Sequence, residues 1–539
     1  MSRRSVVLVT LTALATFVLG AWLLQRGAAQ ASVVYGRARV FSSVVERIAD
    51  LYVDSIHASQ LYDLAIDGML HNLDDPYTEF LRADDLEDLI LATRGDYSGL
   101  GVHIEVTDGW LTVVTPLAGT PADEAGIEPG DRIAEVDGVV TYGWSADKAS
   151  AALRGDPGTA VAITVVRAGL PDPLRFEVER EQIHVTSVRH AAVVAPDIGY
   201  VRLETVGARS AEELTDAISR LRDSGARKLI LDLRFNPGGL LDQGVAVSEL
   251  FLEPGEAVVS IRGRAGAMAR TYEADLPGQW GDMPLVVLVN EFSASAAEII
   301  AGALQDHDRA LVLGTPSFGK GVVQTIFEIS RTEALRLTTG RWYTPSGRSI
   351  HRDRNSILRA LPEGPDSTGP LASTVFRSDA GRELAGGGGI HPDVVVARAD
   401  TTTAAERRFQ RQLGSNIQTF FGVVSSYAME LKEAELVPDA ESFEVTPHMR
   451  SVLLGRIRER GIAMPNAVWS GARELVSHEL LRRTLRYAFG REVEMRYEVL
   501  RDAVVGKAID LLGEVESQEE LLELAGGVRE EGGGRNGGS

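Results

Sequence analysis

Ser295, Lys320 and Gln324 are the residues whose types and spacing could do covalent chemistry in this chain. Ser295 lies in Asn290-Glu-Phe-Ser-Ala-Ser-Ala-Ala-Glu298, directly after an apolar run over residues 285–289. Lys320 follows in Gly319-Lys-Gly321, and Gln324 comes four positions later. The apolar run predicts a buried parallel strand, and the small and polar residues after it predict a tight turn into a helix reaching about residue 306. Ser295 then stands at a helix N-terminus, where free backbone N–H groups and the positive end of the dipole stabilise negative charge on a carbonyl oxygen. A serine hydroxyl attacks only when a base takes its proton, and the usual bases are histidine, a carboxylate or a neutral lysine. His307 is twelve positions along the expected helix, roughly 18 Å away at 1.5 Å per residue, and out of reach. Lys320 is better placed, because the loop 314–319 turns the chain back after a further apolar strand over 310–313. Its amine must be neutral, which burial or a neighbouring cation would favour. A strand starting near residue 321 would project Lys320 and Gln324 from one face, with the amide holding the amine toward Ser295. Taken singly, each feature has a plainer reading: close helix packing, an exposed turn, a solvated glutamine. Their combination argues against all three.

Residues 290–305 together with 314–324 resemble the core of the carboxyl-terminal processing, or tail-specific, proteases. The family pattern has a Ser-Ala-Ser-Ala-Ser-Glu run and, twenty-five residues after its middle serine, the lysine of Phe-Gly-Lys-Gly. That spacing selects Ser295, not Ser293, as nucleophile, with Lys320 as general base and Gln324 as the residue that positions the lysine. One departure is visible: the third serine of the run is Ala297. Asp232-Leu-Arg-Phe-Asn-Pro-Gly-Gly239 also resembles the family, in which such a turn supplies one oxyanion-hole N–H, here from Gly238 or Gly239. Ala296, after the nucleophile, would supply the other. Upstream, Tyr97-Ser-Gly-Leu-Gly-Val102, Ala125-Gly-Ile-Glu-Pro-Gly-Asp-Arg-Ile133 and Glu135-Val-Asp-Gly138 fall in the order of a PDZ domain of the bacterial protease type. The resemblance implies that Gly99, Leu100, Gly101 and Val102 offer backbone N–H groups to a peptide's terminal carboxylate while the peptide adds to a sheet edge. A helix around residues 147–153 would wall the groove.

At 539 residues and 44% apolar composition the chain has room for three or four globular domains. Acidic residues outnumber basic ones by 76 to 55, a formal charge of −21, which argues against a nucleic-acid partner and against broad adhesion to anionic lipid. The absence of cysteine excludes disulfides, thiol catalysis and thiolate metal sites. No His-Glu-x-x-His motif or phosphate-cradling loop is present, so no metal, nucleotide or other cofactor is expected. The basic Met1-Ser-Arg-Arg4 leads into an uncharged apolar run over residues 5–24, long enough to cross a bilayer. Ala29-Gln-Ala31 would suit signal peptidase, so residues 1–31 read as a cleaved signal peptide or a retained membrane anchor. Either implies an exported, periplasmic protein.

The expected fold is multi-domain α/β. A helical region over 32–95 precedes the PDZ-like, β-rich module at 96–182 and an α/β, crotonase-like protease core at 183–400. Within the core, strands at 198–203 and 229–233 flank a helix at 210–223, and a strand covers 335–343. Residues 352–380 read as a polar surface loop. Residues 401–525 carry leucines at amphipathic-helix spacing and suggest a helical extension for dimerisation, gating or an adaptor, or a simple packed subdomain. Residues 526–539 read as a flexible Gly-rich tail. The expected activity is an exported serine endopeptidase that captures unstructured C-terminal tails and cleaves them through an acyl-enzyme. Its rival is a silent or latent peptide-binding scaffold of the same fold.

Overall fold

The computed structural model describes residues 36–533 except 84, 87–88, 90–92, 94, 108, 118, 168–169, 265–268, 353–374 and 397–402. The apolar run 5–24 therefore lies outside the described residues, and no described helix is long and apolar enough to cross a membrane. The chain divides into two compact units, a smaller one of residues 1–86 with 324–338 and a larger one holding the remainder.

In the smaller unit, residues 36–51 are helical and a second helix spans Ala58–His71. The break after it falls at Asp74, whose φ of 56° is left-handed. The region is helical as expected, with one strand inside it that was not, Glu79–Leu81, paired antiparallel with residues 334–336. A three-residue strand whose partner lies some 250 positions away leaves no local periodicity to read.

The larger unit is built on a six-stranded sheet in the order Val188–Ala195, Ile198–Leu203, Lys228–Asp232, Leu285–Val289, Leu311–Gly314, Val394–Val395. All neighbours are parallel except the first pair. Alternate residues serve the two faces. Leu229, Leu231, Leu285, Val287 and Val312 pack under the helices Ser210–Asp223, Leu241–Glu249 and Ala296–Asp306. Ile230, Val286, Leu288, Leu311 and Leu313 meet Val504, Val505, Leu511, Leu512 and Leu521 of the last two helices, Ala503–Gly513 and Gln518–Gly533. Burial on both faces explains why these strands read as unbroken apolar runs. It also makes the residues from 503 onward one layer of the core. Of the expected tail 526–539, residues 526–533 continue the final helix, and residues 534–539 lie outside the described residues. The remaining helices of the extension, Ala404–Leu413 to Arg473–Phe489, enclose an apolar cluster of their own around Phe420, Leu453, Ile457 and Leu480. Of the expected loop 352–380, residues 353–374 lie outside the described residues, and Val375–Arg377 forms a short hairpin with Glu383–Ala385.

The PDZ-like module has a meander of five antiparallel strands, Val102–Thr107 at one edge through Leu174–Glu179 at the other, closed by the helix Ala146–Leu153 over a core of Leu111, Val113, Ile133 and Val161.

Candidate active site

The strand Leu285–Val289 delivers the chain to Ser295, the residue capping the helix Ala296–Asp306. Ser295 adopts φ 55° and ψ −118°, a conformation that L-residues rarely take and that costs on the order of 1–3 kcal/mol unless neighbours over-determine it. They do so here through a lacing of loops. The buried Ser293 hydroxyl donates to the Leu233 carbonyl at 2.8 Å and accepts the Asn290 N–H at 2.9 Å. The Ala294 N–H donates to the Asn236 carbonyl at 2.9 Å, and the Phe235 N–H to Asn290 Oδ1 at 2.9 Å. Ser293 is thus consumed in holding the turn, and Ser295 is the serine that the turn presents. Ala297, where the family pattern has serine, is fully buried in the core under the helix, so its methyl group faces packing and not the turn.

Glu298 organises the other side. It is fully buried, and its Oε2 accepts the backbone N–H of Ser295 at 2.8 Å and that of Lys320 at 2.9 Å. Its Oε1 accepts the Ser317 hydroxyl and the Gly319 N–H, both at 2.6 Å. Burial raises the pKa of this carboxyl, and the four donors oppose that rise. A single side chain therefore ties the Ser295 turn to the loop carrying Lys320. Sequence reasoning gave Glu298 no role, although Ser-x-x-Glu at a helix start is the capping-box spacing and was the available signal.

The third component is the turn after Lys228–Asp232. Asn236 donates Nδ2 to the Leu203 carbonyl at 2.8 Å and accepts the Gly238 N–H on Oδ1 at 2.8 Å. A parallel bridge then has the Val206 N–H donating to the Gly238 carbonyl and the Leu240 N–H to the Val206 carbonyl. That pattern leaves the N–H of Gly239 on the far side of the bridge. Among the described residues neither the Gly239 nor the Ala296 N–H makes a hydrogen bond. Both glycines are required. A Cβ on Gly238, at φ 90°, would lie 2.5 Å from the Ala294 carbonyl oxygen and 2.8 Å from Ser295 Cβ, and one on Gly239 would lie 2.1 Å from the Val206 carbonyl oxygen. The turn is fixed from behind by the buried Asp232, which accepts from Tyr200 Oη at 2.8 Å and from Arg234. Burial would raise the Asp232 pKa, and the Arg234 charge overrides it and holds the carboxyl below its usual range.

Lys320 is half-buried at the end of its loop, its carbonyl accepting from Trp342 Nε1 at 3.0 Å. The following strand begins at Val322, so the alternation expected to align Lys320 with Gln324 does not reach the lysine. Gln324 falls in the smaller unit, where its Nε2 donates to the Tyr77 carbonyl.

Gly99, Leu100, Gly101 and Val102 line a cavity of about 440 Å³ between the edge strand Val102–Thr107 and the helix Ala146–Leu153, with Leu117 and Leu153 as apolar walls and Arg154 and Arg189 at its margin. Gly101, at φ 72°, has its Cα hydrogen side against Thr120, where a Cβ would come within 2.4 Å, so the loop backbone can pass there only as glycine. His103 in the same groove is pushed down to about 4 by burial and by the Arg189 charge, and is neutral at neutral pH.

A strained serine at a helix N-terminus, tied through Glu298 to a lysine loop, is an arrangement that could support nucleophilic chemistry at a carbonyl. Comparison with known proteins is specific. The model of peptidase family S41 matches residues 197–356, that of the PDZ domain residues 112–167, and that of the activating protease CtpB N-terminal domain residues 24–85. The carboxy-terminal-processing protease of Bartonella bacilliformis is 40% identical over 314 residues, 58% of this chain and 71% of the relative. The carboxy-terminal processing protease CtpA of Bacillus subtilis is 34% identical over 323 residues, 59% and 68% respectively. Among solved structures, the photosystem II D1 C-terminal processing protease is 32% identical with a TM-score of 0.33, covering 57% of this chain and 82% of that one. The chain belongs to the carboxy-terminal-processing proteases and is a serine-type peptidase with a PDZ domain.

Proposed function

We propose that this protein captures an unstructured C-terminal tail in its PDZ groove and cleaves the chain upstream by a Ser295/Lys320 acyl-enzyme mechanism. Lys320, neutral in the substrate-loaded state, takes the Ser295 proton as the oxygen attacks and returns it to the departing amine; water then completes deacylation. The N–H groups of Gly239 and Ala296 hold the oxyanion. Gln324, whose Nε2 donates to the Tyr77 carbonyl, takes the role of the residue that positions the lysine. The observation that carries this reading is the single Glu298 oxygen accepting from the backbones of both Ser295 and Lys320. The groove around Gly99, Leu100, Gly101 and Val102 suits strand addition by a tail, with backbone N–H groups for its carboxylate. The basic start and the uncharged run 5–24 support export to the periplasm, with residues 5–24 as anchor if uncleaved.

Incubating the full chain with an unstructured polypeptide, beside Ser295→Ala and Lys320→Ala variants, tests the mechanism. We expect each variant to lose at least about a thousandfold in kcat/KM. Equal cleavage by all three would refute the dyad, and cleavage by none would favour a silent scaffold.

A further inference from the structure

Two exposed aromatic rings stand on the same two loops that build the catalytic turn. Phe235 precedes Asn236, Pro237, Gly238 and Gly239, and Phe292 comes three residues before Ser295. Their rings stack at 5.3 Å between centroids with planes 15° apart, and they remain 46% and 54% exposed. Phe235 holds φ 62°, a left-handed conformation that for a bulky side chain is an outlier. Its cost is borne because the Phe235 N–H donates to Asn290 Oδ1 at 2.9 Å, and the Phe292 N–H shares that oxygen at 3.2 Å. One buried amide oxygen therefore holds the backbones that carry both rings, on the loops that flank Ser295. Packing does not explain the pair, since rings half in water gain little from the fold. Backbone strain retained to display an apolar surface beside a nucleophile points to contact with something that comes and goes.

We propose that the Phe235–Phe292 stack is a specificity platform that takes an apolar substrate side chain next to the scissile bond. The inference rests on the reading of Ser295 as the nucleophile and names the sequence class it prefers: tails cut beside leucine-like or aromatic residues in preference to serine or acidic ones. The occupant is the substrate because the Ala294 N–H to Asn236 carbonyl bond places the two loops side by side at the reacting residue. The Arg202 guanidinium, 5.9 Å from the Phe235 ring centroid, adds a cationic neighbour that steadies that ring.

The test compares two unstructured peptides that differ only in a leucine or a serine beside the scissile bond, with the full chain, Phe235→Gly, Phe292→Ser and Phe292→Leu. Phe235→Gly suits the left-handed backbone, so loss of folding does not confuse its result. The ratio of kcat/KM for the leucine peptide over the serine peptide should fall about tenfold in Phe235→Gly and Phe292→Ser, the size of discrimination a small apolar contact supports. Phe292→Leu should keep most of the ratio. A ratio unchanged in Phe235→Gly and Phe292→Ser, whether or not both rates fall together, overturns the platform while leaving the nucleophile intact. Absence of Ser295-dependent cleavage of either peptide by the unsubstituted chain overturns the platform and the mechanism it rests on.

Discussion

Glu298 is where single-residue chemistry has the sharpest consequence. All four of its partners are donors, so glutamine in its place must turn an NH₂ group toward at least one N–H. An unpaired buried donor costs about 1–3 kcal/mol. Glu298→Gln should therefore lower stability by roughly 2 kcal/mol in urea unfolding. It should also lower kcat/KM by at least about tenfold, because Ser295 and the Lys320 loop lose their common anchor. Full activity would show that the shared carboxylate is not what aligns them. At Gly238, alanine would press its methyl group against Ser295 and the Ala294 carbonyl. We expect kcat to fall by about a hundredfold or more, the scale of a lost oxyanion donor, with far smaller change in KM.

At the scale of elements, the strand leading from the PDZ-like module is tied to the core helix Ser210–Asp223 through Glu213. Its Oε2 accepts the Ser187 N–H at 2.6 Å and the Thr186 hydroxyl at 2.7 Å, while Oε1 meets His184 Nε2. His184 Nδ1 lies 2.7 Å from Asp96 on the paired strand. Burial by itself would lower the His184 pKa, and its hydrogen bonds to Glu213 and Asp96 outweigh it, leaving the value above the ordinary 6.5. A raised imidazole stabilises the fold fully below that ordinary value and ceases to do so as pH rises through the folded one. The Tm deficit of His184→Gln should be largest near pH 6 and shrink by about pH 9; a deficit that grows with pH would contradict the ion-paired histidine. The core strands and the Ser295 turn were legible in sequence because each is a continuous apolar run stopped by small polar residues, and the helix Ser210–Asp223 matched its expected range. The Glu79–Leu81 strand was not, since only a distant partner makes it a strand. That the Gly238 N–H is taken up by Asn236 Oδ1 was likewise hidden, because it depends on where the Asn236 side chain lies.

At the scale of the whole molecule, the C-terminal extension is structural where it meets the sheet. Asp502 caps the helix Ala503–Gly513 and pairs with Arg234 Nη1 at 2.9 Å, joining that helix to the turn before Gly238. Val504, Val505, Leu511, Leu512 and Leu521 are buried there, and at about 2 kcal/mol per side chain their loss approaches the total stability of a domain. A chain ending at residue 500 should be insoluble or molten by circular dichroism and near-ultraviolet spectra; a folded, active truncation would contradict this layer. Leucine spacing showed that these helices were amphipathic, and could not show which surface their apolar faces met. The most direct test of the central claim is the intact mass of the full chain, quenched during turnover of a peptide ester and mapped by proteolysis. We predict one acyl group, on Ser295. An adduct on Ser293, or release of the ester's alcohol with no covalent adduct under conditions where deacylation is blocked, would contradict the account.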